Sequence, residues 1–152
     1  MLNKKNPHRE SYQNPLTDLD DFRGDIFSPE EKKYRLLQLE SEIKANNVDP
    51  EFIPYLKKIN ESYFFVTTQC CTGHGPADDR QAHLDFRSAL KPKIVIDRIL
   101  KPLDQKYSGI SVNLYGLYCD RLRYCIWMPD EKWEEIVNYF IKLIEQIEEL
   151  NK

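Results

Sequence analysis

The chain has 152 residues, of which 41% are hydrophobic and 12% aromatic, and its formal net charge at pH 7 is −3. This length suits one domain with its own core, and the composition excludes a collagen-like chain and argues against a disordered one. The net charge argues against sequence-independent nucleic-acid binding by the whole surface. No apolar run approaches the roughly 20 residues that span a bilayer, so we expect no membrane segment.

The N-terminal part of the sequence predicts an arm and a compartment. Residues 1–27 are polar without a sustained period, which indicates an extended or partly disordered arm ahead of one domain over residues 28–152. The first ten residues lack the apolar segment of a secretory signal, so we expect a cytoplasmic protein. Its 4 cysteines are then expected to be thiols rather than disulfides.

Two helices are predicted in succession after the arm. Residues 28–31 read Ser-Pro-Glu-Glu, which is a capping box with proline in the first turn. Asn46 and Asn47 are typical of a helix end, because asparagine tolerates the left-handed conformation. Asp49 and Pro50 then predict the cap and first turn of a second helix.

Aromatic and β-branched residues over 63–68 predict a central strand. Residues 69–76 have the composition of a loop, and residues 83–88 predict a short second strand.

The rest of the chain predicts a helix over 92–106 that Pro102 kinks or ends. Alternating residues over 110–115 and an apolar stretch over 122–128 predict an antiparallel hairpin, and an amphipathic helix follows it. The expected fold class is α+β, with a single domain whose helices pack on a mainly antiparallel sheet.

One segment concentrates groups that can bind or react. Residues 67–74 read Thr-Thr-Gln-Cys-Cys-Thr-Gly-His, and they follow the predicted strand. Glycine permits close backbone approach to a ligand, while hydroxyl and imidazole groups form hydrogen bonds with one. The alternative is a turn whose thiols pack as small apolar groups. The candidate pocket residues are Thr67, Thr68, Cys71, Thr72, Gly73 and His74.

The same region resembles a known family. Asp49 precedes an apolar helix that ends in Ile59-Asn60, and a strand then leads into residues 67–74. This order resembles the wybutosine-synthesis methyltransferases, the third enzyme of that tRNA modification pathway, in which the strand runs into Thr-Thr-Ser-Ser-Cys-Ser-Gly-Arg. Gln69-Cys70 replaces the family's Ser-Ser, and His74 replaces its arginine.

The resemblance implies an S-adenosylmethionine-dependent methyltransferase that acts on a tRNA base. It implies a pocket for cofactor or substrate at residues 67–74, a polar anchor or base at Asp49, and a substrate-orienting role for His74. Asp49 is equally well explained as a helix cap. The sequence contains no G-x-G-x-x-G run, so a dinucleotide-binding fold has no support.

Three other functions stay open at this point. A thiol enzyme would use Cys71 as nucleophile and His74 as base. A non-catalytic ligand-binding or assembly module would keep the pocket without methyl transfer. A zinc site would draw on Cys70, Cys71, His74 and His83, but adjacent cysteines point to opposite sides of an extended chain, so we expect no metal.

Positive charge is concentrated in one segment. Residues 80–125 hold nine Lys and Arg against four acids, which makes this segment +5 and the remainder of the chain −8. This local excess of positive charge has two interpretations. It is either a chance feature of a solvated surface or a face that binds tRNA. The candidate phosphate-binding residues are Arg80, Arg87, Lys91, Lys93, Arg121 and Arg123.

Overall fold

A computed structural model of the chain describes residues 29–71, 81–118 and 121–150. The helices are α1 (Pro29–Lys44), α2 (Ile53–Glu61), α3 (Pro92–Val95), α4 (Lys101–Lys106) and α5 (Trp133–Leu150). The strands are β1 (Phe65–Cys71), β2 (Gln81–Ser88), β3 (Ser111–Tyr118) and β4 (Arg121–Pro129). The predicted arm over residues 1–27 lies outside the described residues.

The four strands form one antiparallel sheet in the order β1-β2-β4-β3. The predicted hairpin is confirmed as β3 and β4, and the α+β fold with helices on an antiparallel sheet is confirmed with it. Among the described helices, none combines the length and the apolar character that crossing a bilayer requires.

The prediction that the first strand is central is wrong, since β1 lies at the edge of the sheet. Its apolar residues Phe65 and Val66 are buried, although β2 is its single partner among the described strands. Helix α1 contacts this strand through Lys32, whose Nζ donates to the Phe65 carbonyl at 2.6 Å. A helix that lies along an edge strand blocks edge-to-edge association, which the unpaired backbone of β1 would otherwise invite.

The turn between α1 and α2 lies where the sequence predicts one helix to end and the next to begin. Asn46 has a φ of 57°, the left-handed conformation expected of a residue that ends a helix. Asp49 occupies the N-cap position of a 3-10 turn over Pro50–Phe52, but its side chain makes no capping hydrogen bond. The turn is instead closed by the backbone, because the Phe52 N–H donates to the Asp49 carbonyl at 2.9 Å.

A π-helical segment, Ile96–Leu100, joins α3 to α4. Pro102 therefore does not end the helix that the sequence predicts over 92–106. The helix instead widens locally into π geometry just before this proline. Proline lacks the N–H that would bond to the carbonyl four residues earlier, and π geometry is one way in which a helix accommodates such a disruption.

Strand alternation divides the sheet into two faces. Along β2, Ala82, Leu84 and Phe86 belong to the buried core, where they meet residues of α2, α5 and the π-helical segment. Because successive side chains point to opposite faces, the neighbours of these residues lie on the second face. This second face carries His83, Asp85, Arg87, Arg123, Cys125 and Trp127.

Phe86 is at the centre of the core, and its ring is fully buried. It stacks on Tyr124 with 5.1 Å between ring centroids and contacts Phe140 at 5.0 Å. It therefore joins two strands of the sheet to α5.

We expect Phe86→Ala to lower the free energy of unfolding by about 3–5 kcal/mol, because the truncation leaves a cavity among aromatic rings that cannot close around it. Tyr63→Ala is the matched control, since Tyr63 is 76% exposed, and it should change stability by no more than about 0.5 kcal/mol. Urea unfolding followed by circular dichroism measures both values. Equal effects of the two substitutions would contradict this description of the core.

Candidate functional site: a polar cleft between the first helix and the edge strand

A cleft separates α1 from β1. Its larger part has a volume of about 590 Å³ and is lined by residues of both elements, with Arg87 of β2. A smaller part of about 370 Å³ extends toward the turn after α1 and toward His83. The two parts share Arg35, Glu42, Thr67 and Thr68, so we treat them as one cleft, and its size suits a small-molecule ligand.

Asn60 holds one wall of this cleft in place. Its side-chain amide is buried and donates to Thr67 Oγ1 at 2.7 Å and to the Leu56 carbonyl at 2.8 Å. Its carbonyl oxygen Oδ1 accepts from the Thr67 backbone N–H at 3.0 Å. Two of these hydrogen bonds join the end of α2 to the middle of β1 and orient Thr67, while the bond to Leu56 fixes the Asn60 side chain on its own helix.

A β-bulge follows Thr67 in β1. The register of β1 against β2 shifts between Thr67 and Gln69, so Thr68 has no partner of its own in the ladder. A bulge bends the strand and changes the direction of its side chains. Both threonines of the sequence motif consequently line the cleft, although strict alternation would place neighbours on opposite faces.

The cleft contains two buried polar atoms without a hydrogen-bond partner in the described part of the chain: Arg35 Nε and Thr68 Oγ1. The remaining guanidinium nitrogens of Arg35 bond to Gln38 Oε1 at 3.1 Å and to Glu42 Oε1 and Thr67 Oγ1, both at 3.5 Å. A buried polar group without a partner is unfavourable by about 1–3 kcal/mol. The cleft therefore suits a ligand that offers an acceptor to Arg35 and a polar atom to Thr68.

The structure brings together only some of the residues that the sequence singled out. Asp49 does not line either part of the cleft. Cys71 is the register partner of His83 at the end of β1, and nothing further is described of its side chain. Thr72, Gly73 and His74 lie outside the described residues.

Sequence reasoning did not single out Arg35, Glu42 or Asn60 as site residues. Arg35 and Glu42 belong to the polar pattern of a helix, and only the packing of α1 beside β1 turns them toward the cleft. The sequence did point to Asn60, because the helix that carries the resemblance ends in Ile59-Asn60. Because Asn60 is buried, its hydrogen bond to Thr67 supports the wall of the cleft.

The second face of the sheet holds a compact polar group next to the cleft. His83 Nδ1 lies 3.3 Å from Asp85 Oδ1, and Arg123 Nε lies 3.8 Å from Asp85 Oδ2. The Cys125 thiol donates to the Asp85 carboxylate. Asp85 and Cys125 are only 4% and 2% exposed, so a charge on either side chain is poorly solvated.

Within this group, the pKa of Asp85 is lowered and the pKa of Cys125 is raised. Burial by itself would raise the pKa of Asp85, but hydrogen bonds from His83 and Cys125 and the charges of His83 and Arg123 outweigh it and lower the pKa. Burial raises the pKa of the Cys125 thiol, and the bonded Asp85 carboxylate raises it further, against the opposing charge of Arg123. In the absence of a bound cation, Cys125 is therefore a neutral thiol at pH 7.

Several of the candidate phosphate-binding residues are close to one another. Arg87 and Arg123 are register partners on β2 and β4, so they stand side by side on the second face. Lys91 and Lys93 are exposed shortly after β2 ends. Arg80 lies outside the described residues, and the side chain of Arg121 is not described.

We expect Asn60→Ala to lower the free energy of unfolding by about 1–3 kcal/mol, because the buried Thr67 N–H loses its partner and the Thr67 hydroxyl loses the shorter of its two hydrogen bonds. Asn138→Ala on the exposed side of α5 is the matched control and should stay within about 0.5 kcal/mol of the unchanged protein. Denaturant unfolding measures both. A loss no larger than that of the control would show that Asn60 does not anchor β1.

Comparisons with known proteins assign no family. No family model matches the chain, and no curated protein matches it. Among solved structures, the chain is similar to the PH1069 protein from Pyrococcus horikoshii, with 16% sequence identity and a TM-score of 0.46 over 74% of this chain and 88% of that one. This similarity is too low to carry an argument about function.

Proposed function

We propose that the chain is a cytoplasmic S-adenosylmethionine-dependent methyltransferase that acts on a tRNA base and binds its cofactor in the cleft between α1 and β1. The observation that carries the proposal is the convergence of the motif residues on this cleft. Asn60 bonds to Thr67, and Thr67 and Thr68 line a cavity that contains unpartnered polar atoms. Three of the residues on which the resemblance rests, Asn60, Thr67 and Thr68, therefore lie together at this cleft.

The polar groups of the cleft match those of the cofactor. S-adenosylmethionine carries a carboxylate, an ammonium group, ribose hydroxyls and an adenine ring, and it would supply the methyl group. The Arg35 guanidinium suits the carboxylate, because its planar donors match a carboxylate in geometry and charge. Glu42 offers acceptors to ammonium or hydroxyl donors, and Thr68 Oγ1 offers a free hydroxyl. Leu56 and Val48 supply apolar lining for the ring.

The tRNA would be held by the positive charge of residues 80–125. Arg87 lines the cleft and stands beside Arg123, so these two arginines could hold a phosphate near the cleft. Phosphate contacts of this kind position a nucleic acid without reading its sequence.

A non-catalytic ligand-binding module on the same fold is the second candidate. The observation in its favour is that Asp49, the residue that the resemblance suggests as a base, lies outside the cleft lining. Binding of S-adenosylmethionine without methyl transfer to tRNA would identify this second function. Methylation of tRNA by the purified chain would exclude it.

We expect the intact chain to bind S-adenosylmethionine in calorimetric titration. Arg35→Met should weaken binding by about 10- to 150-fold, which corresponds to the loss of a hydrogen bond to a charged group. Arg98→Met removes an exposed arginine of the π-helical segment and should leave binding unchanged. Circular dichroism of each variant confirms that it is folded. No binding by the folded, unchanged chain would contradict the cofactor proposal.

We also expect tRNA binding that weakens steeply with salt, because released counterions drive it. Replacing Lys91 and Lys93 by Gln should reduce the slope of log affinity against log salt by about 2, one for each lost phosphate contact. Lys142→Gln, an exposed change on α5, is the control. Filter retention at a series of salt concentrations provides the measurement, and no retention at low salt would remove tRNA as the substrate.

A further inference from the structure

Three metal-ligating side chains of different chemistry meet on the second face of the sheet. His83 and Asp85 are two residues apart on β2 and so point to the same side. Cys125 is the direct register partner of Asp85 on the neighbouring strand β4. One ligand atom from each residue lies within 4.8 Å of the other two. The backbone register of two paired strands determines this convergence, so it does not depend on a loop.

The distances between these atoms fit the ligands that bind a small cation directly. Zinc lies about 2.0–2.2 Å from nitrogen or oxygen ligands and about 2.3 Å from sulfur, so neighbouring ligands of a tetrahedral site are roughly 3.3–3.7 Å apart. The distance of 3.3 Å between His83 Nδ1 and Asp85 Oδ1 falls at one end of this range. All three ligand atoms lie within 4.8 Å of one another, so the ligands must draw closer together by about 1 Å or less on binding.

The neighbouring arginine leaves this arrangement intact. Arg123 approaches Asp85 at the other carboxylate oxygen, Oδ2, at 3.8 Å, which is an ion-pair distance beyond hydrogen-bond range. Oδ1, on the side of His83, is the oxygen positioned for a cation. Arg123 thus holds the carboxylate in orientation, a role that residues around metal sites commonly have.

The ligand chemistry selects the metal. A thiolate, an imidazole and a carboxylate form a mixed set that suits Zn²⁺, whereas Ca²⁺ and Mg²⁺ prefer oxygen ligands throughout. One thiolate and one carboxylate offset the charge of a divalent ion at residues that are 2% and 4% exposed, and Arg123 adds one positive charge 3.8 Å from Asp85 Oδ2.

We propose that His83, Asp85 and Cys125 form a zinc-binding site with three protein ligands from the described part of the chain. Binding replaces the S–H bond of Cys125 by a sulfur–zinc bond, and the proton is released to solvent. His83 also lines the smaller part of the cleft, so the bound ion lies at the margin of the candidate ligand site. The zinc site does not depend on the methyltransferase proposal, and either can fail without the other.

The test uses the full chain, freed of metal by chelation and titrated with Zn²⁺ in a calorimeter against a competing chelator. We expect a single zinc ion per chain with release of a proton. Asp85→Asn and His83→Gln should each weaken affinity by at least the 10- to 100-fold that even outer-shell changes cause. Asp104→Asn, an exposed carboxylate on α4, and Cys119→Ser, a thiol outside the described residues, should leave it unchanged.

A spectroscopic measurement keeps the test decisive if a variant fails to fold. Co²⁺ bound in place of zinc should give a near-ultraviolet charge-transfer band from the thiolate, and Cys125→Ser should abolish it. The proposal is overturned if the folded, unchanged chain binds neither ion. It is also overturned if the cobalt complex lacks the thiolate band, or if Cys119→Ser loses as much affinity as Cys125→Ser.

Discussion

The constraint on which this structure depends is the two-residue period of the central strands. On β2 it sends Leu84 and Phe86 into the core and leaves His83 and Asp85 on the opposite face. A shift of register by a single residue would exchange these sets, and charged groups would enter the aromatic core. The burial of Phe86 against Tyr124 and Phe140 therefore stabilises the core and also fixes the register of β2. It also determines which side chains can meet on the second face.

The edge strand follows a different rule, because the bulge after Thr67 interrupts its alternation. Two hydrogen bonds between Asn60 and Thr67 hold α2 against this strand, and Lys32 of α1 bonds to the Phe65 carbonyl. The space between α1 and the bulge is the cleft. A site formed by a regular helix and an irregular strand end combines rigid walls with polar groups that have no partner within the sheet.

Electrostatics connects the cleft to the second face. Asp85 is a buried carboxylate whose pKa is lowered because its neighbours outweigh the effect of burial. Arg123 takes part in that balance and also stands beside Arg87, which lines the cleft. His83 belongs to both places, since it bonds to Asp85 and faces the smaller part of the cleft. A ligand in the cleft and a cation near Asp85 would therefore influence each other through one imidazole.

Local patterns in the sequence determined the elements of this protein: a left-handed Asn46 after the first helix, an altered helix before Pro102, and a hairpin that ends in β4. They determined the Thr67–Thr68 part of the site as well, because the motif is contiguous in the chain. Only the tertiary structure decided that β1 is an edge strand, that Arg35 faces the threonines, and that Cys125 lies opposite Asp85. The physical reason is that propensity and capping act between near neighbours in sequence. Strand order and register instead result from the packing of a whole face, to which residues from distant segments contribute together.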